Sequence, residues 1–162
     1  MHLRLVHRRL ANIGFLGVLL CLLGLAPPPS FSKPAASIPA ADLIQPEDLA
    51  AMLQKTAAPK PLILQVGFRK LYAQAHIPDA EYVAAGEDDE GLKVLRERVA
   101  KLPKDASIVI YCGCCPWSKC PNIAAAYDEL HGLGFTRLKV LYIEKDFGTN
   151  WVDKGFPTTL GS

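Results

Sequence analysis

The chain has no surplus of charge, since 18 Lys and Arg stand against 16 Asp and Glu. Arg4, Arg8 and Arg9 account for the imbalance, and beyond residue 32 there remain 15 bases against 16 acids. That near balance excludes a polybasic surface for nucleic acid or anionic lipid. Internal repeats, heptad arrays and low-complexity tracts are also lacking, which excludes solenoids and coiled coils. With 13 Pro and 12 Gly among 162 residues, 50% hydrophobic and 21% charged, the composition is that of one globular domain, not of a collagenous or disordered chain.

The only long apolar run is Leu10–Ala26, preceded by the basic Arg4, Arg8 and Arg9 and closed by Pro27, Pro28 and Pro29. Residues 1–32 therefore read as a secretory signal, with cleavage expected before Lys33 or near Ala35-Ala36-Ser37. The other reading is an uncleaved anchor, for which this run lies at the short limit. Either way the domain is expected to be exported to a periplasmic or extracellular space, touching a membrane only through this segment. Cys21 follows Leu20, not a small residue, so it reads as an apolar residue of the signal.

A Pro- and Ala-rich linker is expected over 33–41, followed by a single domain over 42–160. Leu43-Ile44 suggests a short strand, and Pro46 with Glu47 and Asp48 starts a helix. Leu62–Val66 and Ile108–Tyr111 are continuous apolar runs of strand length, Tyr82-Val83 suggests a further short strand, and Leu138–Ile143 is another strand. Leu92, Leu95, Val99 and Leu102 mark an amphipathic helix, and Ala124–Leu133 a helix closed by Gly134. Strands alternating with helices predict an α/β fold with a mostly parallel sheet and helices on both faces.

Four of the five cysteines fall in Cys112-Gly113-Cys114-Cys115-Pro116-Trp117-Ser118-Lys119-Cys120, between a buried strand and a helix. In an open α/β sheet ligands bind at the carboxyl ends of strands, so Cys112 stands where chemistry is expected. Loop amides turned inward, together with a helix N-terminus, would lower its pKa and hold an anion.

The chain resembles the rhodanese-like family at three places. Ala75-His76-Ile77-Pro78-Asp79-Ala80 is similar to that family's Gly-His-Ile-Pro-Gly-Ala turn, with Tyr72 just before it. The strand Ile108–Tyr111 runs into Cys112, where the family keeps its sulfur-accepting cysteine. Trp151 with Gly155-Phe156-Pro157 is similar to the family's closing Trp…Gly-x-Pro segment. The resemblance spans about Ile38 to Leu160 and implies the family's three-layer fold. It also implies a sulfurtransferase that carries sulfane sulfur as a Cys112 persulfide and needs neither metal nor cofactor. A small donor such as thiosulfate or a persulfide would bind in the loop Gly113–Lys119, and a thiol would accept the sulfur. Cys114, Cys115 and Cys120 are accessory thiols able to take that sulfur within the loop.

Departures from the family pattern bear on substrate. Gln65 and Gly67 stand where the family often has Asp and Arg, the cysteine loop contains no Arg, and Pro116 and Pro121 suggest an insertion. Lys119 is the loop's single cation and Trp117 a candidate pocket wall. His76 is tempting as a base, but the resemblance implies a structural turn; Asp79 and Glu81 are expected to bond turns, and Glu87–Glu90 to be a solvated acidic loop.

Other classes stay open on the residues alone. Cys112-Gly113-Cys114-Cys115 contains a C-x-x-C, which suggests a thioredoxin-like dithiol oxidoreductase using Cys112 and Cys115. Four thiols also suit a soft-metal module, although adjacent Cys114 and Cys115 point in different directions and disfavour a compact tetrahedral site. A structural disulfide such as Cys115–Cys120 is compatible with an oxidising compartment. Phosphatase chemistry is disfavoured because C-x5-R would need Arg where Ser118 stands.

Overall fold

A computed structural model describes residues 35–55 and 59–161. The expected signal over 1–32, with Cys21, lies outside them, and no helix among the described residues is long and apolar enough to cross a membrane.

Five strands form one fully parallel sheet: β1 (Leu43–Ile44), β2 (Leu62–Gln65), β3 (Glu81–Tyr82), β4 (Ser107–Tyr111) and β5 (Arg137–Leu141), in the order β1-β5-β4-β2-β3. β4 lies at the centre because Ile108, Val109, Ile110 and Tyr111 are apolar on both faces, and all four are buried. Ile110 pairs with Leu64 on one side and Val140 on the other.

The helices divide between the two faces. On one face α3 (Asp89–Val99) and α4 (Pro121–Gly132) pack Leu95, Val99, Ile123 and Leu130 against Leu64, Ile108, Ile110 and Val140. On the other, α1 (Pro46–Gln54) and α2 (Arg69–Gln74) bring Leu49 and Tyr72 against Ile63, Val109 and Leu141. The chain therefore leaves β2 towards one face and β4 towards the other. Adjacent parallel strands with opposite exits open a crevice at their carboxyl ends, and such a crevice is where ligands bind.

Three details differ from the sequence expectations. Residues 35–37 and 40–42 of the expected linker and domain start form 3-10 turns, and Ala35 and Ile38 are buried in the α3/α4 core. Helix α4 begins at Pro121, not Ala124, because proline suits the first helical position, where no partner awaits its missing N–H. Helix α2 was not expected from the sequence, since only Tyr72 of its six residues is buried and no apolar period emerges.

Candidate active site

The crevice is held together by β2 and β4 themselves. Beyond their last paired residues, the Val66 amide still donates to the Tyr111 carbonyl at 2.8 Å. Gln65, buried at the end of β2, donates from Nε2 to the Cys112 carbonyl (3.4 Å) and accepts the Gly67 amide on Oε1 (3.2 Å). Gly67 passes so close that a β-carbon there would lie 2.8 Å from Cys112 Sγ. Where the resembled family often has Asp and Arg, this chain thus uses an uncharged amide and a bare backbone.

Gly113 turns the chain after Cys112 with φ +72°, a conformation that favours glycine. A β-carbon there would also sit 2.7 Å from Phe147 Cβ, whose amide donates to the Gly113 carbonyl at 3.1 Å. This turn brings the thiols together. Cys112 Sγ lies 3.2 Å from Cys114 Sγ, which lies 3.2 Å from Cys115 Sγ, and the sulfurs of Cys112, Cys114 and Cys120 all fall within 4.8 Å of one another. All four cysteines are free thiols, with Cys112 and Cys120 buried and Cys114 and Cys115 partly so. Cys115 meets Cys114, not Cys112, so the C-x-x-C pair is not the pair in contact.

Asn122, fully buried in the first turn of α4, faces this cluster. Its Nδ2 donates towards Cys112 Sγ at 3.6 Å and Cys114 Sγ at 3.7 Å, while its Oδ1 accepts the Glu87 amide at 3.1 Å. Sequence reasoning gave Asn122 no role. The available signal was a lone amide opening an otherwise Ala-rich buried helix.

Sulfurs this close govern one another's ionisation. Hydrogen bonds from Cys112 and Cys120, joined by Cys115 and Asn122, hold the Cys114 thiol well below its usual range despite partial burial. Cys112 is pushed up first by its hydrogen bond to Cys114, which a lowering contact with Cys120 opposes, and then by burial and the neighbouring charge. Its donor contact with Cys114 outweighs the one loop amide that faces it, that of Cys114 itself. The Trp117 and Lys119 amides are engaged by the Glu144 and Pro116 carbonyls. The contact with Cys114 and burial thus push Cys112 the opposite way from what inward loop amides alone would predict.

A cavity of about 400 Å³ opens on Cys112, Gly113 and Cys114, lined also by Leu71, Tyr111, Phe147 and Val152. Its one charged lining side chain is Asp146, whose carboxylate accepts the Thr149 amide (2.8 Å) and hydroxyl (3.1 Å). Of the expected binding loop, Gly113 and Cys114 line this cavity. Cys115 and Trp117 border a smaller apolar void on Cys112 and Cys120, while Pro116, Ser118 and Lys119 are exposed. Trp117 meets the Tyr142 ring edge-on at 5.1 Å between centroids.

The remaining singled-out residues are structural. His76 stacks on Tyr72 at 3.9 Å, its Nδ1 lies 2.9 Å from the Tyr72 carbonyl, and its backbone pairs with Thr159. Trp151 is fully buried and donates from Nε1 to the Pro157 carbonyl at 2.8 Å. Asp88 caps α3 by accepting the Gly91 amide, and Glu81 is paired with Arg98, while Asp79 meets Lys60 at 3.5 Å.

A parallel sheet with helices on both faces and a cysteine at the carboxyl end of its central strand defines a class. The chain belongs to the rhodanese-like family, whose profile, described as Rhodanese-like domain, matches residues 45–145. Solved structures agree on the fold. The rhodanese-like domain of an Anabaena protein superposes with a TM-score of 0.54 at 22% identity, covering 74% of this chain and 79% of that one. A Bacillus halodurans protein gives 0.56 at 20% identity, covering 73% and 76%. A rhodanese-like domain protein from Staphylococcus aureus gives 0.50 at 17% identity, covering 75% and 99%. No curated protein sequence matches the chain.

Proposed function

We propose that this domain moves sulfane sulfur through a persulfide on Cys112. The observation that carries the reading is the position of Cys112 Sγ, at the strand-end crevice between an open cavity and a thiol 3.2 Å away. In the reacting form the proton that the two contacting sulfurs share lies on Cys114 and the negative charge on Cys112. The Cys112 thiolate then attacks the outer sulfur of a donor R–S–SH, forming Cys112–S–SH as the donor's S–S bond breaks. The departing RS⁻ recovers the proton from Cys114 and leaves as RSH, so charge and protons balance.

Discharge has a route within the loop. The Cys114 thiolate attacks the inner sulfur of Cys112–S–SH, releasing HS⁻ and leaving a Cys112–Cys114 disulfide that an external dithiol reduces. An outside thiol can instead take the outer sulfur and free Cys112 directly.

The lining favours a donor without a second negative charge. Thiosulfate, a dianion, would approach both the Asp146 carboxylate and the shared thiolate with no cationic side chain on the cavity wall. A thiol-borne persulfide places its organic group against Leu71, Phe147 and Val152 instead.

Intact-mass and peptide spectrometry after exposure to an organic persulfide tests the reading. One added sulfur on Cys112, lost on adding a thiol, is the expected result; rapid insulin reduction with no sulfur adduct is the opposite one and would favour a dithiol oxidoreductase.

Export is part of the same proposal, supported by the arginines ahead of Leu10–Ala26. Amino-terminal sequencing of protein recovered from the exported fraction should begin between residues 33 and 38.

A further inference from the structure

The accessory thiols do more than stand near Cys112, because three sulfurs from two elements converge on one point. Cys112 and Cys114 come from the two sides of the Gly113 turn, and Cys120 from the residue capping α4. Their sulfurs lie within 4.8 Å of one another, and no imidazole or carboxylate joins the set among the described residues. A metal–sulfur bond of about 2.3 Å would place three ligands of a planar site ~4.0 Å apart, within the reach of this trio.

The fourth thiol does not complete a tetrahedron. Cys115 touches Cys114 but lies outside the set in which every sulfur is within reach of every other. This removes the usual four-sulfur arrangement of structural zinc. What remains is a three-thiol site, soft and low in coordination number, which selects a monovalent d¹⁰ ion over harder divalent ones.

The surroundings fit such an ion. A mainly apolar void lined by Trp117, Ile123, Leu141 and Ile143 borders Cys112 and Cys120. Asn122 supplies what an anionic metal–thiolate group needs from its neighbours. Its Oδ1 is engaged by the Glu87 amide, so Nδ2 is the end that points at the Cys112 and Cys114 sulfurs. Hydrogen bonds to ligating sulfur orient the ligand and disperse its charge.

We propose that Cys112, Cys114 and Cys120 form a three-coordinate Cu(I) site, with thiol protons released to solvent on binding and Asn122 as the positioning residue. The inference does not depend on sulfur transfer taking place.

Anaerobic titration of the full chain, kept reduced by a phosphine, with Cu(I) in competition with a chromogenic chelator tests it. One ion per chain is expected. Cys120→Ala should weaken binding at least a hundredfold, and Cys115→Ser should change it less than about threefold. X-ray absorption on the unmodified protein removes any dependence on variant folding and should show three sulfurs in one shell. Failure to compete with the chelator, a shell of two or four sulfurs, or equal losses from Cys115→Ser and Cys120→Ala would overturn the proposal.

Discussion

Replacing Asn122 separates its structural from its chemical contribution. Asn122→Ala removes the acceptor of the Glu87 amide and both contacts to sulfur. An amide left without a partner in a partly buried place costs about 1–3 kcal/mol. Asn122→Asp keeps that acceptor, so its stability should stay closer to wild type, but sets a carboxylate oxygen where Nδ2 lies 3.6 Å from Cys112 Sγ. Two unit charges at that separation repel by about 4–5 kcal/mol at an effective dielectric of about 20. Protonation of the new carboxyl would relieve much of this, and what remains should still slow formation of the Cys112 persulfide at least tenfold near neutral pH. Urea unfolding gives the stability ranking, and timed mass spectrometry after addition of an organic persulfide gives the loading rate. Asn122→Asp loading Cys112 as fast as wild type while remaining folded would refute the reasoning that this amide serves the sulfurs.

Three further outcomes follow from single positions. Gly113→Ala should cost about 2–4 kcal/mol, combining a left-handed backbone conformation with overpacking against Phe147, and a loss of unfolding free energy in urea below about 1 kcal/mol would contradict it. Asp146→Asn should raise the loading rate from thiosulfate more than that from an uncharged persulfide, and equal effects on both donors would remove Asp146 from donor choice. For pH, the Arg98 hydrogen bond holds the Glu81 carboxyl below its ordinary value. A depressed carboxyl stabilises the fold above the unfolded-state value near about 4.3 and loses that contribution as pH falls through the folded-state value. The pair is partly exposed, so wild type and Glu81→Gln should differ by no more than about 1 kcal/mol at pH 7, with the gap closing in acid.

Most of the sheet was legible because its signals are local. Ile108–Tyr111 and Leu62–Val66 are apolar runs that only a strand buried on both faces explains, and the 92–102 stripe announces a helix within its own sequence. Cys112 was legible for a related reason, since a cysteine directly after the central strand must stand at the sheet's carboxyl edge. Asn122 was not legible. Its value depends on Glu87, 35 residues earlier, and on sulfurs ten and eight residues earlier, so the lone amide opening α4 marks a polar position without revealing its partners. The environment of Cys112 escaped for the same reason. Spacing shows that four thiols are near one another, but only the distances among the sulfurs show that Cys112 meets Cys114 and Cys120 and not Cys115.

The contact between Cys112 and Cys114 bears on both proposed chemistries. Cys112 Sγ lies 3.2 Å from Cys114 Sγ, so a proton can pass between them with no movement of the backbone. The same contact makes the two proposed occupants of the site exclusive. A sulfur atom added to Cys112 Sγ occupies the space a metal ion shared with Cys114 and Cys120 would need, and an ion bound to the three sulfurs takes away the lone pair that attacks the donor. Sulfur load and copper load should therefore vary inversely at fixed protein, with half the chains metal-bound leaving half able to form the persulfide. Independent loading of both in one chain would show that the three sulfurs do not act as one site.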